Sequence, residues 1–279
     1  MTKLSQYARL LPALVCASAL PLGALGSTAA AQPLASSAPA GLLADDDDLP
    51  DRRDEVKELI DTLDDHAGAR RGAEDDQAIG VIDQLYQEFP NSGPRDRASI
   101  VKALEKVFKE RRRPNEDGTP NNQLFLAAAT AMRDMGPESV RPLIKLIGHK
   151  DHDDDLVLQR RIVLSLGNTQ DEDGVDPLSD LLQHHSPTMQ AAAAEALGEY
   201  TNLESDERKD IFEQLLLAVM QVQSIVDTEP DNIIERERYD TIAGPIITSL
   251  QRLSNHDLRN PHEWQSWWND NKRRDWDED

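Results

Sequence analysis

Two stretches of the chain decide the fold: residues 140–147 read VRPLIKLI, and residues 175–182 read VDPLSDLL. They share a Val, a Pro-Leu pair and two closing apolar residues, and they lie 35 residues apart. The dipeptide Leu166-Gly167 returns in the same way as Leu197-Gly198, after 31 residues. A period in the thirties is typical of repeats that each contain two helices, so the sequence predicts a helical solenoid.

Helical spacing of apolar residues extends outward from this repeat over residues 52–254, where steps of three and four replace the alternation of a strand. We therefore predict an all-α fold. The Ala-rich stretches Ala127–Ala129 and Ala191–Ala194 fall in second helices and predict a closely packed layer. The predicted helix pairs are five, at residues 53–90, 94–135, 137–168, 173–200 and 205–254.

The residues at 175–182 and the run MQAAAAEALG at 189–198 resemble the two helices of the HEAT-repeat family, within the armadillo-like superfamily. The resemblance is clear over 124–200 and weaker at 52–112 and 205–254. The Arg that is usual in the second helix is replaced by Gln190. The resemblance implies a right-handed α-α superhelix that acts as a protein-binding scaffold, and it implies no reaction. The whole chain resembles uncharacterised secreted bacterial HEAT-repeat proteins.

The first 31 residues have the pattern of a secretory signal peptide. A positive start is followed by an apolar stretch and by small residues that end at Ala31. The apolar stretch is too short for a stable membrane span, so the sequence predicts cleavage and export to the periplasm or the cell exterior. Residues 32–51, rich in Ala, Ser, Pro and Asp, are predicted to be a disordered acidic linker.

The formal net charge of −22 argues against a nucleic-acid binder, because such proteins neutralise phosphates with Lys and Arg. It also argues against an anionic membrane surface and favours a basic protein partner. The sequence contains no phosphate-binding glycine loop and no nucleophile or metalloprotease motif, and it predicts no cofactor. We therefore predict a protein that is not an enzyme.

Residues 255–279 form a Trp-rich end that contains all four tryptophans of the chain. We predict that its helix caps the solenoid by packing on the helix around Ile246–Leu253, and that residues 272–279 fray. The alternative is a binding surface for a cell-wall glycan or a partner peptide. The tryptophans predicted for either role are Trp264, Trp267 and Trp268.

Two further groups of side chains are candidate sites. His149 and His184 are 35 residues apart, so the repeat places them at equivalent turns. With their neighbours His152 and His185 they offer imidazoles that suit Zn²⁺ or Mn²⁺, which leaves open a metal-dependent enzyme or an accessory subunit. The basic run Arg111, Arg112 and Arg113 is interpreted as local charge balance or as a docking patch for an acidic partner.

Overall fold

The computed structural model describes residues 49–277, which contain eleven α-helices and no β-strand. Residues 1–31, the predicted signal peptide, lie outside the described residues. The first ten helices form the five predicted pairs of an α solenoid, and the eleventh follows the last pair. The helices are α1 Asp54–Ala67, α2 Asp75–Glu88, α3 Pro94–Val107, α4 Gln123–Met132, α5 Pro137–Leu146, α6 Leu156–Thr169, α7 Val175–Asp180, α8 Pro187–Leu197, α9 Ser205–Thr228, α10 Ile233–Ser254 and α11 Pro261–Asn271.

The helix starts follow local sequence signals. Asp155 caps α6 by accepting a hydrogen bond from the backbone N of Leu158 at 3.0 Å, and Asn232 accepts one from Glu235 N at 3.2 Å. A proline also fixes the first turn of four helices, where its missing N–H costs nothing. These prolines are Pro94, Pro137, Pro187 and Pro261.

The second helices of successive pairs pack against one another, so that α2, α4, α6, α8 and α10 form one layer. Small residues set their spacing. A Cβ placed on Gly167 would lie 2.6 Å from Cα of Ala196 on the next second helix. The hydroxyl of Ser165 donates to the carbonyl of Ala129 at 2.7 Å, which joins α6 to α4. The predicted close approach of these helices is therefore confirmed.

The core lies between this layer and the layer of first helices, and it is built from the apolar side chains that the helical spacing predicted. Its largest fully buried side chains are those of Trp264, Tyr200 and Phe212, near the C-terminal end. Each helix buries one apolar face, and within residues 49–277 none is long and apolar enough to cross a membrane.

The N-terminal boundary of the fold differs from the prediction. Asp51 accepts hydrogen bonds from the backbone N atoms of Arg95 and Asp96, at 3.0 and 2.9 Å, and so caps α3. Asp96 in turn accepts from the backbone N atoms of Arg52 and Arg53 just before α1. Asp51 was predicted to belong to the acidic linker, and this exchange of caps places it in the folded part instead. Residues 32–48 of the predicted linker lie outside the described residues.

Candidate functional site

The turns within the helix pairs lie along one edge of the solenoid, which we call the turn edge. The turns are aligned in this way because the second helices pack side by side and each begins where the turn of its pair ends. Side chains join neighbouring turns: Asn122 donates to Asp155 at 2.7 Å, between the second and third pairs. The turn edge consists of residues 68–74, 108–122, 147–155, 181–186 and 229–232.

Arg112 holds the longest of these turns against the first helix pair. Its guanidinium pairs with both carboxylate oxygens of Asp75, the nearest at 2.7 Å, and donates to the carbonyl of Ala67 at 2.7 Å. The Arg112 side chain is only 4% exposed. Arg112 is therefore not available to a partner, and only Arg111 and Arg113 of the predicted basic run are exposed at the surface.

His152 fastens the same turn from the other side. Its Nε2 lies 2.8 Å from the carbonyl oxygen of Phe108 and donates to it, since a carbonyl oxygen can only accept. The imidazole also packs edge-on against the rings of Phe125 and Phe108, at 4.8 and 6.0 Å between centroids. This buried histidine joins the third helix pair to the second, a role that its position in a polar turn did not indicate.

A cavity of about 430 Å³ opens between the α3–α4 turn and the α5–α6 turn. Phe108 and Phe125 line it together with charged side chains. Each of the two turns forms one wall of the cavity, and the two walls differ in charge. The α3–α4 turn contributes the basic side chains of Lys109 and Arg111, whereas the side chains from the α5–α6 turn are mostly acidic. The charged side chains that line the cavity include Lys109, Glu110, Arg111, Lys150, Asp151, Asp153 and Asp154.

A second cavity, of about 320 Å³, lies on the other side of the α5–α6 turn, where Asp153 and Asp154 face His184 and His185. The two imidazole rings are 4.1 Å apart between centroids. Partial burial and the neighbouring His185 lower the pKa of His184, although the backbone N of Ser186 bonds to its ring. The structure therefore brings the histidine turn and the aspartate turn together around one space.

The four histidines of the predicted metal site do not meet at one point. His152 is buried against Phe108, whereas His149 is exposed, and their ring centroids are 6.2 Å apart. In the part of the chain that the structure describes, no three His, Asp or Glu side chains are arranged to hold a metal ion.

The tryptophans gather around Phe212 on α9. Trp264 is fully buried and Trp268 is 6% exposed, and ring centroids of Trp264, Trp267 and Trp268 lie 5.2 to 5.6 Å from that of Phe212. The prediction had placed them on the helix around Ile246–Leu253, which is α10. The tryptophans instead cover α9, the first helix of the last pair, because α11 packs along α9.

The chain beyond α11 is also held in place, contrary to the prediction that it frays. The backbone N of Trp276 donates to the hydroxyl of Ser205 at 3.0 Å, and its ring lies 5.4 Å from that of Phe212. Arg208 pairs with Asp277 and lies over the Trp276 ring. The described tail thus closes over the start of α9.

Two buried glutamines, Gln159 and Gln190, bond from a second helix to the preceding part of the same pair, a role that the sequence analysis assigned to neither. Gln159 donates to the carbonyls of Leu146 and His152, both at 3.2 Å, and Gln190 donates to that of Leu182 at 2.8 Å. Gln190 thus bonds the turn that follows the first helix, from the position where the resemblance led us to expect Arg. The signal was present, because these glutamines have the same 31-residue offset as the two Leu-Gly pairs.

The family model described as HEAT repeats matches residues 141–219, from α5 into α9. Apart from Val140, the match contains both repeats from which the fold was predicted, and it confirms the family resemblance there. No curated protein and no solved structure matches the chain.

Proposed function

We propose that this chain, which carries HEAT repeats over residues 141–219, is a non-enzymatic scaffold that binds protein partners in the cell envelope. HEAT repeats in general mediate protein–protein interaction. The observation that carries the proposal for this chain is the cavity at the turn edge, whose two walls carry opposite charge. Such a groove orients an incoming chain, because each wall attracts charge of one sign.

The partner expected at this cavity is an extended protein segment with charges in the complementary order. Acidic side chains would lie beside Lys109 and Arg111, and basic side chains beside Asp151, Asp153 and Asp154. Phe108 and Phe125 also line the cavity, but their side chains are only 3% and 4% exposed, so the contact with a partner is expected to depend on the charges. The net charge of −22 favours a partner that is basic overall, since it speeds the encounter of opposite charges.

Location in the envelope or outside the cell is the second part of the proposal. It rests on residues 1–31, whose positive start, apolar stretch and small closing residues match a cleaved signal peptide. Expression of the full chain in a bacterium, followed by fractionation and N-terminal sequencing, tests it. Recovery outside the cytoplasm of a chain that begins at Gln32 supports export, whereas an intact chain confined to the cytoplasm refutes it.

Partner binding is tested with residues 32–279 immobilised as bait for an envelope extract and with mass spectrometry of the retained proteins. The variant Lys109→Glu with Arg111→Glu reverses the basic wall. The matched control, Lys57→Glu with Lys102→Glu, makes the same change of charge at exposed positions on α1 and α3.

A saturable protein partner that is lost with the wall variant and kept with the control is the expected result. The proposal fails if no protein is retained saturably, or if both variants lose the partner equally.

A further inference from the structure

The last helix pair is much longer than the pair before it. Its helices α9 and α10 have 24 and 22 residues, whereas α7 and α8 have 6 and 11. At 1.5 Å per residue, α9 is about 36 Å long and α8 about 17 Å. Arg238 of α10 donates to Gln190 in the first turn of α8, at 3.0 Å, which marks where α10 passes the start of its neighbour. Residues before Arg238 therefore extend past α8, together with the end of α9. We call residues 224–237 the arm tip.

The arm tip exposes two adjacent isoleucines. Ile233 is 69% exposed and Ile234 is 76% exposed, and they are the two most exposed large apolar side chains in residues 49–277. A single exposed apolar residue is ordinary on a protein surface. Two of them in sequence, at the start of a helix that has passed its neighbour, form an apolar contact that nothing in the described chain covers.

Negative charge surrounds the isoleucines. The arm tip contains five acidic residues and one basic residue, Arg236. The Arg236 guanidinium donates to the carbonyl of Pro230, so it turns back onto the loop. Four of the acidic residues are exposed, namely Asp227, Glu229, Asp231 and Glu237. A second copy of the chain would bring like charges together here, and an anionic membrane would be repelled in the same way.

We propose that the arm tip docks a segment of a protein partner in which apolar side chains are flanked by Lys or Arg. Ile233 and Ile234 provide the apolar contact, and the surrounding carboxylates hold the basic side chains in register. The inference rests on the proposed scaffold function and names the partner chemistry for a second surface, distinct from the cavity between the α3–α4 and α5–α6 turns.

Three synthetic peptides of 14 residues, labelled for fluorescence anisotropy and titrated with the full chain, test this inference. One is built of Leu and Lys, the second replaces Lys by Glu, and the third replaces Leu by Ser. The test variant is Ile233→Ser with Ile234→Ser. Its matched control is Leu156→Ser with Val157→Ser, because these side chains are also exposed and also begin a second helix.

The Leu/Lys peptide is expected to bind the full chain more weakly as salt is raised, because part of the attraction is between exposed charges. The isoleucine variant is expected to raise its Kd by about thirtyfold or more, given what burial of two such side chains contributes. The control variant is expected to stay within about twofold. The proposal would be overturned if the Lys/Ser peptide bound the full chain as tightly as the Leu/Lys peptide does. It would also be overturned if the isoleucine variant left the Kd of the Leu/Lys peptide unchanged, or if the isoleucine and control variants raised that Kd equally. A dimer in sedimentation velocity that only the isoleucine variant dissociates would overturn it as well.

The bait experiment separates this inference from the scaffold proposal. If the envelope partner is retained while the isoleucine variant leaves the peptide Kd unchanged, the arm-tip inference fails and the scaffold stands. If no envelope protein is retained and the Leu/Lys peptide still depends on the isoleucines, the arm tip is a peptide-binding site and the scaffold proposal fails.

Discussion

Replacement of Arg112 by Ala is expected to lower the free energy of unfolding by about 3–5 kcal/mol, because it leaves a buried charge without its partner. The side chain of Asp75 is only 13% exposed and would lose its bidentate contact with the guanidinium. The carbonyl of Ala67 would lose its bond from the same group. Such a change is a large part of the ~5–15 kcal/mol that usually stabilises a folded domain.

The neighbouring arginines provide the control. Arg111→Ala and Arg113→Ala remove the same side chain from exposed positions one residue away, and each is expected to change the free energy of unfolding by less than about 0.5 kcal/mol. Urea denaturation followed by far-ultraviolet circular dichroism measures all three variants against the parent chain.

The double variant Arg112→Ala with Asp75→Ala completes the test. Removal of both partners leaves no unpaired charge, so the double variant is expected to lose less stability than the two single variants added together. If Arg112→Ala costs no more than Arg111→Ala, or if the two single losses simply add, the salt bridge does not hold the α3–α4 turn to the first pair.

Two glycines on second helices are expected to respond in opposite directions, as measured by urea denaturation. Gly167→Ala should lower the free energy of unfolding by about 1–3 kcal/mol, because its Cβ would overlap Ala196. Gly80→Ala should raise it by about 0.5–1 kcal/mol, because a Cβ there has no atom within 4 Å and Ala favours the helix. Equal changes in the two variants would contradict the close approach of the second helices. Since the folded state lowers the pKa of His184, its contribution to stability is intact above the unfolded pKa of about 6.5 and is lost as the pH falls through the folded value. An NMR titration of the imidazole should show this lowered pKa, and His185→Asn should move it back towards its ordinary value; a parent pKa at or above the ordinary value would refute the account.

The helix pairs were predictable because the signals that set them are local. The apolar spacing, the first-turn prolines and the 35-residue repeat are all read within one or two helices, and the helices form where these signals place them. The close contact at Gly167 was predictable for the same reason, since small residues cluster in the sequence of the second helices.

The individual roles at the turn edge were not predictable, because they depend on residues far apart in the chain. Arg112 has the same sequence surroundings as Arg111 and Arg113, and only the position of Asp75, 37 residues earlier, distinguishes it. His152 lies in a polar turn, yet it is buried because its ring packs on those of Phe108 and Phe125 and donates to the carbonyl of Phe108, 44 residues away. The choice of α9 over α10 as the helix beneath the tryptophans depends on the path of the chain after residue 255, since both helices carry apolar faces.

The aromatic cluster around Phe212 also makes the protein's intrinsic fluorescence a reporter of one end. All four tryptophans of the chain lie in its last 16 residues, and Trp264, Trp267, Trp268 and Trp276 all contact that single ring. Ellipticity in the far ultraviolet, in contrast, is summed over every helix. In a row of repeats that contact only their neighbours, unfolding can start at either end. An emission change that precedes the loss of ellipticity would mean that the C-terminal end opens first, so one denaturation curve recorded with two optical signals gives the direction in which the solenoid unravels.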